Sequence, residues 1–217
     1  MNSVDAVWAV GRWTIQPLTK LFSSLRNYGS ERVPLEGGIV LAMNHFSWLD
    51  PPAFGTCSPR TIHFLAKSEI HSHFGLGQII RAFGARSVRR GESDREAVRA
   101  MREIVRDGHA LGLFVEGTRQ KSGVPGEAMP GAGMVALQEE VPVLPAAIHG
   151  SQDWRLWNRH AVSVAWGEPM SFDGIPRSGK GYREASLHIQ EEIHRLWKWL
   201  VELHESGRPR TATPPPP

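Results

Sequence analysis

The chain has 217 residues, enough for one domain or at most two small ones. Its 41% hydrophobic and 22% charged residues are ordinary for a globular protein and exclude a disordered charged tail. One cysteine, Cys57, excludes an intrachain disulfide framework and any C-x-x-C motif, while 20 arginines among 25 basic residues suit either an anionic partner or GC-rich coding.

Residues 1–27 read as an N-terminal amphipathic helical segment. Val4, Val7, Trp8, Ile15, Leu18, Leu21, Phe22 and Leu25 recur at largely helical spacing, with Arg12, Lys20 and Arg26 between them, and Pro17 divides the segment into two short helices. Tryptophan among apolar and basic neighbours suits a helix lying in a lipid interface, and a helix packed on its own domain would look the same. The longest apolar run there, residues 6–10, is far short of the roughly 20 residues that a membrane span needs. Asp5 before that run, with no basic residue ahead of it, argues against a signal peptide, so the expected location is cytoplasmic, peripheral on the inner face of the cell membrane.

A domain over residues 28–206 follows. Glu36-Gly37-Gly38 is a turn, and Ile39 to Met43 reads as a buried strand. Asp50 before Pro51-Pro52 is placed to cap a helix that the proline pair opens. Ile62 to Ala66 and Ala85 to Val88 read as short strands. Ser93 and Glu96 form a capping box for a helix whose Ala97, Val98, Met101, Ile104 and Val105 share one face. Ala110 to Val115 is a strand, a Gly- and Pro-rich loop spans Gly117 to Gly131, and a short helix runs through Glu139. Val141 to Ile148 and Ala161 to Trp166 are strands, and a last helix covers about Tyr182 to His204. The alternation predicts an α/β fold, a single domain with a mixed, mostly parallel β-sheet flanked by helices. Residues 207–217, ending in four prolines, read as a disordered tail.

Two clusters carry chemistry. His45 and Asp50 form an H-x4-D pair after a strand. On a regular helix they would lie about 140° apart, but the Asp50-Pro51 junction disfavours helix at Asp50 and lets a turn bring the carboxylate beneath the imidazole. A carboxylate on one ring nitrogen fixes the tautomer and raises the basicity of the other, making a general base for a hydroxyl. A packed histidine beside a capping aspartate is the plainer alternative. The second cluster, Glu116-Gly117-Thr118-Arg119, also follows a strand, where active-site residues of α/β proteins gather. Gly117 permits a tight turn, and Glu116 can orient Arg119 for bidentate phosphate binding or simply pair with it on the surface.

Together these clusters resemble the glycerolipid acyltransferase family, of the 1-acyl-sn-glycerol-3-phosphate (lysophosphatidic acid) acyltransferase type. Ala66-Lys67-Ser68-Glu69 looks like that family's Ala-Lys segment, Gly84 to Gly91 fits its second motif with Arg90 as the motif arginine, and Val141 to Ala146 fits its fourth. The match runs over about residues 28–168, in the family's order.

The resemblance implies that His45 deprotonates an acceptor hydroxyl, with Asp50 orienting it, and that the oxygen attacks the thioester of an acyl-CoA or acyl carrier protein. No acyl-enzyme is implied, so neither Cys57 nor Ser47 is needed as a nucleophile. Arg90, Glu116, Gly117, Thr118 and Arg119 would hold the glycerol-phosphate of a lysophosphatidic acid, with Lys67 adding positive charge. No metal or organic cofactor is implied, and the partners are donor, lipid acceptor and membrane surface. Arg89, Val115 and Met129 depart from the family pattern and put the acceptor's identity in doubt. An acylated amino acid or a glycolipid is therefore the alternative acceptor, with a hydrolase giving the acyl group to water, or a non-catalytic basic membrane-binding module, beyond that. Nucleic acid is disfavoured because no recognition helix or stacking motif occurs.

Gly131-Ala132-Gly133-Met134-Val135-Ala136 matches G-x-G-x-x-A but lacks a preceding strand, so its glycines read as a close helix approach. His63, His71 and His73 lack a metal-ligand spacing and read as ordinary histidines.

Overall fold

The computed structural model of the chain describes residues 24–67, 86–88, 94–155 and 157–217. Seven strands form its sheet: β1 (Ser24–Tyr28), β2 (Ile39–Met43), β3 (Ile62–Lys67), β4 (Arg86–Val88), β5 (Ala110–Phe114), β6 (Val143–His149) and β7 (Ala161–Trp166). Their order is β1-β7-β6-β2-β5-β3-β4. Every pairing is parallel except β6 with β7. The carboxyl ends of β2, β3, β5 and β6 therefore share one edge, and the loops that follow β2 and β5 meet there.

Hydrophobic side chains cover the sheet on both faces. All five residues of β2 are buried, as a strand covered on both sides requires. Ile39, Leu41 and Met43 pack with Phe54 of α1 (Asp50–Cys57) and with Trp166. Val40 and Ala42 face the other way, onto α2 (Asp94–Arg106), α3 (Gly131–Glu139) and α4 (Gly179–Glu205). The expected fold is thus observed. The helix α3 starts close to its neighbour, as its glycines suggested: a Cβ on Gly133 would come within 2.6 Å of the Tyr182 carbonyl oxygen in α4. Pro145 sits inside β6 opposite Ala42, and its carbonyl still accepts from the Gly167 N–H at 2.8 Å.

Two expectations need correction. Residues 24–27 are not helical: β1 begins at Ser24 and runs parallel to β7, from Ser24 opposite Ala161 to Tyr28 opposite Ala165. The ladder satisfies this segment's backbone and Tyr28 is buried, which outweighs the helical spacing that Leu25 shares with upstream residues. The rest of the proposed amphipathic segment lies outside the described residues.

The C-terminal residues 207–217 are not a disordered tail but lie along the domain. Arg208 is buried, its guanidinium donating to the carbonyls of Ser24 (2.7 Å) and Val162 (3.1 Å) and to Ser24 Oγ (2.8 Å). Arg32 donates to the Pro214 carbonyl at 2.8 Å and Arg195 to the Pro215 carbonyl at 3.1 Å. The buried Arg208 thus meets carbonyls at the sheet margin, the half-buried Arg32 and Arg195 meet carbonyls of the segment itself, and prolines lose little freedom on docking. Among the described residues no helix is long and apolar enough to cross a membrane.

Candidate active site

The site grows from the loop that joins β2 to α1. Pro51 and Pro52 occupy the first turn of α1, where their missing N–H groups cost nothing. Asp50 is the first helical residue, Leu49 holds the cap position, and no side chain caps the helix. The expected N-cap role for Asp50 is therefore corrected: its carboxylate turns back into the loop. Oδ2 accepts from the Phe46 N–H at 2.5 Å, the Ser47 N–H at 2.8 Å and His45 Nδ1–H at 2.7 Å. Ser47 Oγ donates to Oδ1 at 3.4 Å and accepts from the Leu49 N–H at 3.1 Å. Asp50 is fully buried, while the His45 side chain keeps 17% of its surface. Because the carboxylate can only accept, Nδ1 carries the proton and Nε2 carries the lone pair.

Two neighbours fix the imidazole further. Phe114, the last residue of β5, stacks on the ring at 4.0 Å between centroids and 20° between planes. Asn44 is fully buried, accepting from the Ile148 N–H at 2.8 Å and donating to the Ile148 carbonyl at 3.0 Å. That bracket ties the start of the loop to β6.

The turn after β5 docks on the same residue. Gly117 has φ of 66°, a left-handed conformation that glycine adopts freely, and its N–H donates to the Phe114 carbonyl at 3.0 Å. A side chain there would also meet the Met129 sulfur, since a Cβ would lie 2.6 Å from Sδ. The His45 N–H donates to Glu116 Oε2 at 2.8 Å, and the His45 carbonyl accepts from the Gln120 N–H at 2.8 Å. Both backbone groups of His45 are thereby held by the Glu116–Gln120 turn.

Glu116 does not orient Arg119. Its other oxygen accepts from the Gly126 N–H at 2.9 Å, so the carboxylate braces two loops. Arg119 instead lays its guanidinium over the Trp48 ring, 4.4 Å from the centroid. Gly117, Thr118 and Arg119 are exposed at this edge, beside His45. Lys67 ends β3, and Arg90 lies outside the described residues, as do His71 and His73. His63 stacks on His109 at 4.6 Å, and among the described residues no three His, Cys, Asp or Glu side chains are grouped to hold a metal ion. Phe114, Asn44 and Trp48 were not singled out from the sequence as site residues. Their only signal was adjacency to the two motifs.

Burial pushes the Glu116 carboxyl up to about 7; the Gly126 and His45 N–H groups pull it down, and the nearby Asp50 charge raises it. The folded protein thus holds a proton that the unfolded chain releases near pH 4.5. The stability this contributes is complete at low pH and is lost as pH rises through about 7. Glu116→Gln removes that titration. Its melting temperature relative to wild type is expected to climb between about pH 5 and about pH 8, in thermal unfolding at matched ionic strength. A difference independent of pH would contradict this.

The model of the Acyltransferase family matches residues 24–149, which hold both clusters. The 1-acyl-sn-glycerol-3-phosphate acyltransferase of Bacillus subtilis is 27% identical over 158 residues, covering 72% of this chain and 78% of that protein. The lyso-ornithine lipid O-acyltransferase of Rhodobacter capsulatus is 37% identical over 82 residues, 37% of this chain and 29% of that one. The crystal structure of the 1-acyl-sn-glycerophosphate (LPA) acyltransferase PlsC from Thermotoga maritima superposes with a TM-score of 0.71 at 25% identity, covering 91% of this chain and 79% of that one. A histidine braced by a buried aspartate, and a glycine turn that presents an arginine beside it, thus lie inside a segment and a fold shared with acyl-transferring enzymes: the chain belongs to the Acyltransferase family.

Proposed function

We propose that the enzyme moves a fatty acyl group from an acyl-CoA or acyl carrier protein thioester to the free hydroxyl of 1-acyl-sn-glycerol-3-phosphate, giving phosphatidic acid. The observation that carries the reading is the His45–Asp50 pair, with Nδ1–H donated to a buried carboxylate and Nε2 left basic. Nε2 takes the hydroxyl proton as the oxygen attacks the thioester carbonyl carbon. The tetrahedral adduct collapses by breaking its C–S bond, and the thiolate recovers the proton from the imidazolium. An ester and a free thiol result, and no covalent acyl-enzyme is needed.

Arg119 is the ligand for the acceptor phosphate in this reading. Its guanidinium offers the planar fork that suits phosphate oxygens. The exposed Met129 borders the same turn, which suits an acceptor carrying both a charge and an acyl chain. We further place the enzyme at the cytoplasmic membrane surface, where such an acceptor resides.

Arg119→Ala is expected to raise the acceptor KM about tenfold or more, with the donor KM unchanged. Steady-state kinetics with 1-acyl-sn-glycerol-3-phosphate check this, and an unaltered acceptor KM would refute phosphate binding at Arg119. The likeness to the lyso-ornithine lipid enzyme favours one second reading, an acyl amino acid acceptor. Turnover with lyso-ornithine lipid and none with the phosphate acceptor would establish it.

A further inference from the structure

The guanidinium of Arg119 and the indole of Trp48 come from different motifs, the arginine five residues past the end of β5 and the tryptophan three past His45. The Arg119 guanidinium carbon lies over the Trp48 ring, 4.4 Å from its centroid. Arg119 is exposed, and a long exposed arginine samples many rotamers that binding must freeze. Trp48 is itself 63% exposed, so it contributes little to the core. Its backbone is not loose, however. The neighbouring Leu49 N–H donates to Ser47 Oγ, and the Asp50 carboxylate holds the N–H groups of Phe46 and Ser47. The loop that orients the catalytic imidazole therefore also anchors the backbone that carries the indole.

We infer that Trp48 is a positioning residue for Arg119: its ring face holds the guanidinium in place and so sets the affinity for the acceptor's phosphate. A ring face attracts the cation without supplying an oxygen acceptor, so the guanidinium keeps its N–H donors for phosphate oxygens. An ion pair in the same place would compete with the phosphate for those donors. The hydroxyl acceptor is thus registered against His45 by one short loop, and binding and base share a support. This inference rests on the reading of Arg119 as the phosphate ligand.

The test is a double-variant cycle with purified full-length enzyme and 1-acyl-sn-glycerol-3-phosphate. Trp48→Leu, Trp48→Phe, Arg119→Ala and Trp48→Leu/Arg119→Ala are compared for acceptor KM, donor KM, kcat and melting temperature. Trp48→Leu is expected to raise the acceptor KM about three- to fivefold, with kcat and donor KM within about twofold and the melting temperature unmoved. Trp48→Phe, which keeps a ring face, is expected to recover most of the loss. The double variant should be no worse than Arg119→Ala alone. An unchanged acceptor KM in Trp48→Leu, while Arg119→Ala raises it, would overturn the inference and leave the phosphate reading standing. So would a Trp48→Leu loss that persists in full without Arg119, which would make Trp48 a direct lipid contact. An unaltered acceptor KM in Arg119→Ala would remove the phosphate reading itself.

Discussion

Asp50→Ala is expected to destabilise the enzyme by about 3 kcal/mol and to abolish measurable turnover. Three donors converge on Oδ2, the N–H groups of Phe46 and Ser47 and the imidazole Nδ1–H, at a position with no solvent exposure. Each buried donor left without an acceptor costs about 1–3 kcal/mol, and part of that returns if the loop opens to water. For a chain of this size the loss corresponds to a fall of about 10 °C in melting temperature. Asp50→Asn separates the two duties of the carboxylate. Its amide oxygen can still accept from the loop, so the melting temperature should drop much less. The imidazolium formed during transfer would lose its counter-charge, and kcat should fall about 100-fold or more. Thermal unfolding and steady-state kinetics on both variants check this. Full activity in Asp50→Asn would show that the carboxylate only braces the loop.

His45→Ala is expected to lower kcat by about 1,000-fold while the fold persists. Its side chain contributes one bond to a carboxylate that keeps two backbone donors, and a stack on the partly buried Phe114. General-base catalysis accounts for about 100- to 10,000-fold in comparable enzymes. Steady-state kinetics and thermal unfolding on His45→Ala check this, and a folded variant whose kcat stays within about tenfold of wild type would contradict the base assignment.

Much of this was legible in the sequence, and the exceptions share a cause. The strands Ile39–Met43 and Ala161–Trp166 follow from short apolar runs bounded by turn residues, and the H-x4-D contact forms as its spacing suggested, though for a different reason: Asp50 is helical despite the proline after it, and the turn that returns its carboxylate to His45 spans Ser47 to Asp50. Spacing within a motif does not name partners outside it. Glu116 lies 71 residues from the backbone N–H it accepts from, so pairing it with nearby Arg119 was the local guess that the fold overrode. The partner of Arg119 came from the other motif for the same reason. At the chain end, four prolines carry the composition of a solvated tail. The acceptors that dock it, such as the Ser24 carbonyl 184 residues away, exist only once the sheet margin has formed. The strand β1 was hidden similarly, since a margin strand is defined by its ladder with β7 more than by its own pattern.

The most direct test is thiol release from long-chain acyl-CoA and from acyl carrier protein thioesters by the wild-type enzyme, with and without 1-acyl-sn-glycerol-3-phosphate. Release that depends on this acceptor, with phosphatidic acid formed in equal amount, is the predicted result. Release that proceeds equally without acceptor, or that occurs only with a lipid lacking the phosphate, would contradict the account.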